Sequence, residues 1–251
     1  MKNYLECTCL GKLGRFGNSL FQFCFAYQLA ENFNCDLAIN SDWEGINFFP
    51  NIANNTRIKL TDKQELPDTS FNEIPSITGY NLKGFYQYPE HLKLLNQKSI
   101  RKWLTLPDYI IKNEYLKFDV VAHLRQEDLI GDPRNCLISK ASYIPLITAI
   151  KNRFPKYTFC FIEQDKSHNH YLIDFSIMSM SKILIRSNST LAYFAGIINR
   201  NINHNAFTFS PNIIGKSGLN DVDFEPYNWN QITDSSIYPG GNTGDLFIKE
   251  E

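Results

Sequence analysis

No apolar run in this chain is long enough to cross a bilayer. The longest, residues 20–30, is broken by Gln22, Tyr27 and Gln28 and falls short of the roughly 20 residues a membrane helix needs. An excess of one charge is missing too: 25 Lys and Arg stand against 26 Asp and Glu, a net charge of −1. There is therefore no global basic field, and no extended basic patch, to hold nucleic acid. The opening residues Met1-Lys2-Asn3-Tyr4-Leu5-Glu6 lack the basic-then-apolar layout of a secretory leader. A soluble, cytoplasmic protein is the expectation. Also missing are a Walker loop, a nucleophile elbow, a zinc-ligand spacing, an internal repeat and any low-complexity tract. The six cysteines (Cys7, Cys9, Cys24, Cys35, Cys136 and Cys160) are expected to be reduced and to behave as small buried apolar groups. Cys7 and Cys9 alternate on an apparent strand and so point to one face.

What is present is a regular alternation of strand and helix signals over 251 residues, enough for one large domain or two small ones. Residues 4–10 read as a strand. Three glycines (Gly11, Gly14 and Gly17) then mark a tight turn, and apolar residues at helical spacing follow over 19–32. With a second strand at 35–40 this is one βαβ unit. Residues 41–76 are polar, Asn-rich and poorly periodic, the composition of loops and short elements. A strand is predicted within 77–87, ending at Gly84-Phe85-Tyr86-Gln87, and a helix over 91–104. The second half repeats the rhythm. Strands are predicted at 120–124, 157–162, 183–186 and 207–209, the last of the series. Helices are predicted at 142–153, with Ser142 as the cap, at 170–180 and at 191–199. The pattern implies parallel sheets covered on both faces. The stretch 107–117 is the candidate boundary, dividing the chain into domains at 1–112 and 113–251.

Three segments are polar or Gly-rich and lie between a strand and a helix, where backbone N–H groups and a helix N-terminus can hold anionic oxygens. The first is Gly14-Arg15-Phe16-Gly17-Asn18; its plainer reading is Asn18 as a helix N-cap. The second is His123-Leu124-Arg125-Gln126-Glu127-Asp128. His123 and Arg125 share a strand face, and Arg125 offers a planar fork suited to phosphate. Asp128 can orient Arg125 or accept a proton. The plainer reading is an Arg125–Asp128 surface pair, with His123 satisfied in the core. The third is Ser187-Asn188-Ser189-Thr190, either a phosphate cradle or an ordinary cap.

In order and flanks these segments resemble the alpha-1,2-fucosyltransferase family, above all bacterial members that build O-antigen glycans. That family carries Gly-Arg-Leu-Gly-Asn-Gln-Leu-Phe-Gln; here residues 14–22 read Gly-Arg-Phe-Gly-Asn-Ser-Leu-Phe-Gln. Its Gly-Tyr-Phe-Gln is matched by Gly84-Phe85-Tyr86-Gln87, and its His-Val-Arg-Arg-Gly-Asp by residues 123–128. Its late Asn-Ser-Ser-Phe-Ser-Trp-Trp-Gly is matched by residues 188–195, Asn-Ser-Thr-Leu-Ala-Tyr-Phe-Ala. The resemblance spans about residues 10–200. It implies an α/β, GT-B-like fold: two Rossmann-like halves with a ligand cleft between them, the first on the acceptor side and the second holding the nucleotide sugar. It implies inverting transfer of L-fucose from GDP-β-L-fucose to a glycan hydroxyl, with no metal and no other cofactor. Arg125 would stabilise the departing diphosphate, with His123 and Asp128 beside it. Ser189 and Thr190 would bond the phosphate. Asp165, just beyond the strand at 157–162, would join the donor contacts, and Arg15 and Asn18 would contribute from the other half. Glu127 is the first candidate for general base, Glu44 the second. Partners would be the donor and an acceptor glycan. A peripheral contact with a lipid-linked glycan at the cytoplasmic face of the membrane is compatible with that pathway.

Two departures stand out. Gln126 replaces the family's second arginine and Glu127 its glycine, and both changes make the pocket less cationic. They leave a different nucleotide sugar as an alternative donor, and a non-catalytic sugar-nucleotide-binding module as an alternative class. Asp221-Val222-Asp223 has the form of a metal-binding DxD, and His168 and His170 flank Asn169; loop and solvated helix start are the plainer readings of these.

Overall fold

The computed structural model describes residues 4–53, 64–67, 79–87, 91, 94–125, 138–164, 170–212 and 223–226. The chain divides into two compact units between Pro107 and Asp108, ahead of the 112/113 division expected. Helix α5 (Asp108–Ile111), with Lys112 Nζ donating to Asp108 Oδ2 at 2.8 Å, begins the second unit.

Unit 1 is built on a four-stranded sheet of order β2-β1-β4-β3, parallel throughout. Its strands are β1 (Tyr4–Cys7), β2 (Asp36–Ile39), β3 (Gln64–Pro67) and β4 (Tyr80–Lys83). Helix α1 (Phe16–Asn32) crosses between β1 and β2. It buries Phe21, Phe23 and Phe25 completely, so it is apolar nearly all round, as a core helix must be. Around it lie α2 (Glu44–Phe48), α3 (Pro50–Ala53) and α4 (Gln97–Trp103). Trp43 and Trp103 close on Phe23 at ring distances of 5.4 and 6.4 Å, contacts that add to the area buried.

The described residues within 41–76 hold short elements, α2, α3 and β3, as the composition of that stretch suggests. Other expectations need correction here. The strand within 77–87 stops at Lys83, because the chain then leaves the sheet and Tyr86 takes φ +52. The helix expected over 91–104 is interrupted: His91 is helical, the chain turns at Leu94, and a helix begins afresh at Gln97, where the Asn96 side chain accepts from Ser99 N at 3.1 Å and caps it. β1 ends at Cys7, and Cys9 sits in the following turn with its Sγ 3.7 Å from Cys7 Sγ.

Unit 2 carries a five-stranded sheet of order β6-β5-β7-β8-β9. Here β5 is Val120–Arg125, β6 Phe159–Gln164, β7 Ile183–Ile185, β8 Phe207–Pro211 and β9 Phe224–Pro226. All neighbours are parallel except β9, which runs antiparallel to β8 and was not expected. Val120, Ala122, Leu124, Ile183 and Ile185 form one apolar face, covered by Tyr143 and Ile150 of helix α6 (Lys140–Arg153). The cap of α6 is Ser139, not Ser142: Ser139 Oγ accepts from Ser142 N at 3.3 Å. Helices α7 (Tyr171–Met180) and α8 (Thr190–Ile202) pack on each other. Buried Asn199 on α8 donates from Nδ2 to the carbonyls of Met178 (3.3 Å) and Ser179 (3.2 Å), and also to that of Ser181. It thus satisfies acceptors that the end of α7 leaves open.

At the amino ends of the strands, Asp119 joins three segments. Its Oδ2 accepts from Thr158 N (2.8 Å) and Thr158 Oγ1 (3.0 Å), and its Oδ1 lies 2.6 Å from Lys182 Nζ. Burial pushes this carboxyl up, but the bonds from Lys182 and Thr158 outweigh it and hold Asp119 below its ordinary value. A depressed folded-state pKa stabilises the fold above the ordinary carboxylate range, and that stabilisation is lost as pH falls through the folded value. Asp119→Asn is therefore expected to lower the urea midpoint at neutral pH, and to narrow the gap from wild type at about pH 3. Asn199→Ala strands the carbonyls at the end of α7 and should cost about 1–3 kcal/mol in urea denaturation.

Candidate functional site

Strand β5 is apolar from Val120 to Ala122 because both its faces are covered. Its polar groups come at the carboxyl end, where an open α/β sheet receives its ligands. His123 is fully buried, and its Nδ1 lies 2.8 Å from Ser187 Oγ. Two of the three polar turns read from the sequence, 64 residues apart in the chain, are thus joined at the ends of adjacent strands. The Tyr143 hydroxyl donates to the His123 carbonyl at 2.8 Å and fixes the strand end from the helix side. Burial pushes the Tyr143 pKa far up, with Arg186 pulling weakly the other way; the phenol stays protonated and can only donate to that carbonyl. Arg125 is the last residue of β5, half-buried, in register with Gln164 of β6.

The third turn opens α8. Ser187, Asn188 and Ser189 are buried, and Thr190 is half-buried as the first helical residue. Ser189 occupies the N-cap position, yet its side chain makes no capping bond. Gln126, Glu127, Asp128, Asp165, His168 and Asp221 lie outside the described residues. His170 stands at the start of α7, and Asp223 immediately precedes β9.

In unit 1 the Gly14–Asn18 segment meets the Gly84–Gln87 segment. Gln87 Nε2 donates to Asn18 Oδ1 at 3.0 Å, and Gln22 Nε2 donates to the Leu13 carbonyl at 2.9 Å. The cap position of α1 belongs to exposed Arg15, not to Asn18, because the helix begins at Phe16. Gly14 has φ +79, and a Cβ there would lie 2.9 Å from both Asn18 Cβ and Phe85 Cε1, and closer still to Asn18 Nδ2. The glycine is needed for its backbone and for the space it leaves. Glu44, at the start of α2, is half-buried beside the turn at Gly11.

Sequence reasoning assigned no role to Arg186. It directly follows the apolar triplet of β7 and is fully buried. Its Nε donates to Ser210 Oγ at 2.7 Å, and its Cζ lies 5.6 Å from the centre of the Tyr193 ring. The available signal was a charged residue closing an apolar strand, the same signal that picks out Arg125. Among the described residues, no three His, Cys, Asp or Glu side chains gather in a way that could hold a metal ion.

No protein-family model matches the chain, and no curated protein sequence does. Solved structures do match in fold. The structure of fucosyltransferase NodZ from Bradyrhizobium aligns with a TM-score of 0.55 at 10% identity, covering 84% of this chain and 96% of that one. NodZ alpha-1,6-fucosyltransferase soaked with GDP-fucose aligns with a TM-score of 0.52 at 10% identity, over 91% and 100%. POFUT1 in complex with GDP aligns with a TM-score of 0.52 at 11% identity, over 83% and 97%. The fold is the two-unit α/β, GT-B architecture of these enzymes.

Gly14→Ala should cost about 1–3 kcal/mol, from strain at a left-handed φ and from overpacking against Asn18 and Phe85. Urea denaturation followed by tryptophan fluorescence, with Trp43 and Trp103 both in unit 1, checks this.

Proposed function

We propose that the chain is a metal-independent, inverting fucosyltransferase that moves L-fucose from GDP-β-L-fucose to a hydroxyl of an acceptor glycan. The observation that carries this reading is the His123–Ser187 hydrogen bond. It unites the His-x-Arg strand end with the Ser-Asn-Ser-Thr turn in a fold shared with fucosyltransferases. NodZ was soaked with GDP-fucose and POFUT1 was captured with GDP, and a guanine nucleotide sugar is the donor class assigned here. The motif resemblance supports an α-1,2 linkage, as in O-antigen glycans. NodZ is an α-1,6 enzyme, so the fold by itself is neutral on linkage.

In this reaction the acceptor oxygen attacks the anomeric carbon from the face opposite the leaving group. The bond from that carbon to the β-phosphate oxygen breaks, and GDP departs with the electron pair. The acceptor proton goes to a carboxylate, assigned to Glu127. Negative charge grows on the β-phosphate as the bond breaks, and a preorganised guanidinium is worth most there. Arg125 takes that role, oriented by Asp128. Ser189 and Thr190 donate to phosphate oxygens beside the N-terminus of α8, and Ser189 is not engaged in capping that helix. His123, Asp165, Arg15 and Asn18 complete the donor contacts by motif match. No helix of the described residues is long and apolar enough to cross a membrane. A cytoplasmic enzyme that meets a lipid-linked acceptor at the membrane face fits this reaction.

A thermal-shift panel of nucleotides and nucleotide sugars tests the donor class, since a ligand bound only by the folded state raises its stability. GDP and GDP-fucose should stabilise and UDP should not; a preference for UDP, or no nucleotide effect, would overturn the reading. Arg125→Ala should slow GDP release from GDP-fucose by about 10²–10³-fold. The less cationic surroundings created by Gln126 and Glu127 favour a second reading, a binding module without turnover. That reading requires GDP-fucose to bind while no GDP is released, with or without an acceptor.

A further inference from the structure

Helix α6 closes on the far edge of the unit 2 sheet at its N-terminal end, where the Tyr143 ring lies 4.4 Å from that of Phe224 in β9. Its C-terminal end stands off β7 and β8, over a cavity of about 620 Å³. Ile150 and Phe154 of α6, Tyr157, Ile183 of β7, and Phe207 and Phe209 of β8 form its walls. Ile150 and Ile183 belong to the apolar core of the unit, whereas Phe207 is 62% exposed and stands at the mouth. The cavity opens by the first residues of β7 and β8. The His123–Ser187 bond lies at the other end of the sheet.

Such a size and such walls suit a small molecule with an apolar body. Phe154 and Tyr157 stack on each other at 4.6 Å with their rings 8° apart, and Arg153 and Lys182 lie over these rings at 5.9 and 5.1 Å. Their faces are thus engaged, and the edges left to the cavity suit a hydrocarbon chain better than a stacked sugar.

The mouth is cationic. Residues 149–158, 182–183 and 203–209, which frame it, include Lys151, Arg153, Lys156 and Lys182 and not one Asp or Glu. Asp119 answers the charge of Lys182 at 2.6 Å. Arg153 lines the cavity and makes no ion pair among the described residues. Asn203 lines it too, and its Oδ1 accepts from Asn205 N at 3.1 Å, so its NH₂ group remains to donate. A guanidinium fork and an amide donor at the rim of an apolar cavity match one carboxylate on an apolar chain.

We propose that this cavity is a second ligand site, built for a long-chain carboxylate. The chain lies between α6 and the β7–β8 strands, and the carboxylate meets Arg153 and Asn203. The site shares no residue with the donor reading above and stands independently of it.

Calorimetry of the full chain tests it with dodecanoate, dodecanol and dodecyltrimethylammonium, all below their micelle-forming concentrations. Dodecanoate should bind saturably at one site, dodecanol more weakly and the cation not at all. From octanoate to dodecanoate each added methylene should tighten binding about two- to fourfold. Arg153→Gln should weaken dodecanoate about five- to tenfold, the loss of a charge-assisted bond, and leave dodecanol within about twofold. Ala149→Trp fills the mouth from an exposed position of α6 and should abolish binding of both. If Ala149→Trp does not fold, Arg153→Gln decides alone. Absence of saturable dodecanoate binding overturns the proposal. So does dodecanoate binding indifferent to both substitutions, or binding of the cation as tight as that of dodecanoate. Retention by phosphatidylglycerol vesicles without binding of monomeric dodecanoate also overturns it, since it marks a membrane-docking face instead of a closed site.

Discussion

The parallel pairing of β5 with β7, from Val120 opposite Ile183 to Ala122 opposite Ile185, governs the carboxyl end of the unit 2 sheet. Both strands are buried on both faces, so neither can carry polar side chains along its length without loss. Polar groups are admitted only where the strands end. The β5–β7 pairing stops at Ala122 and Ile185 while β5 runs on to Arg125 beside β6, and His123 meets Ser187 one and two residues beyond that last pair. A shift of one residue would turn His123 to the other face and separate the two motifs. Tyr143 reinforces the arrangement by holding the His123 carbonyl.

Much of this was legible in the sequence. The apolar runs followed by His123 and Ser187 marked strand ends, and the glycine-rich turn before α1 marked a helix start. Other features had no sequence signal, for identifiable reasons. The His123–Ser187 bond depends on strand order, which local periodicity does not encode. Asn18 has the composition of an N-cap, but a helix starting at Phe16 moved it into the first turn, where Gln87 claims its side chain. Ser142 lost the cap of α6 to Ser139 because the helix runs two residues further back. Strands β3 and β9 are short edge strands, and edge pairing needs little hydrophobic alternation to persist.

Unit 1 shows a different economy of residues. Its motif side chains hold one another across the sheet end: Gln87 to Asn18, and Gln22 to the carbonyl of Leu13. The aromatic residues behind them make that end stiff. Phe25 stacks on Tyr86 at 4.6 Å with the rings 11° apart, and His91 meets both edge-on. Tyr86 is held at a positive φ by this packing, a conformation a non-glycine residue adopts only when its surroundings over-determine it. At about 10% identity to NodZ, little of the sequence itself is shared. The common architecture rests on burial pattern and strand order, which many different apolar residues can satisfy.

Strand order also dictates how the chain must assemble. In unit 2 the order is β6-β5-β7-β8-β9, and in unit 1 it is β2-β1-β4-β3. In each unit the strand made first lies inside the sheet, flanked by strands made later. β1 and β5 therefore emerge during synthesis with both hydrogen-bonding edges open, and each sheet grows outward from them in two directions. Every parallel neighbour requires a crossover to close first, which makes such pairing slow. One hydrogen-bonding edge of Val120–Ala122 stays open until β7 arrives, some 60 residues later in the chain. Over that interval the nascent chain is most prone to aggregation.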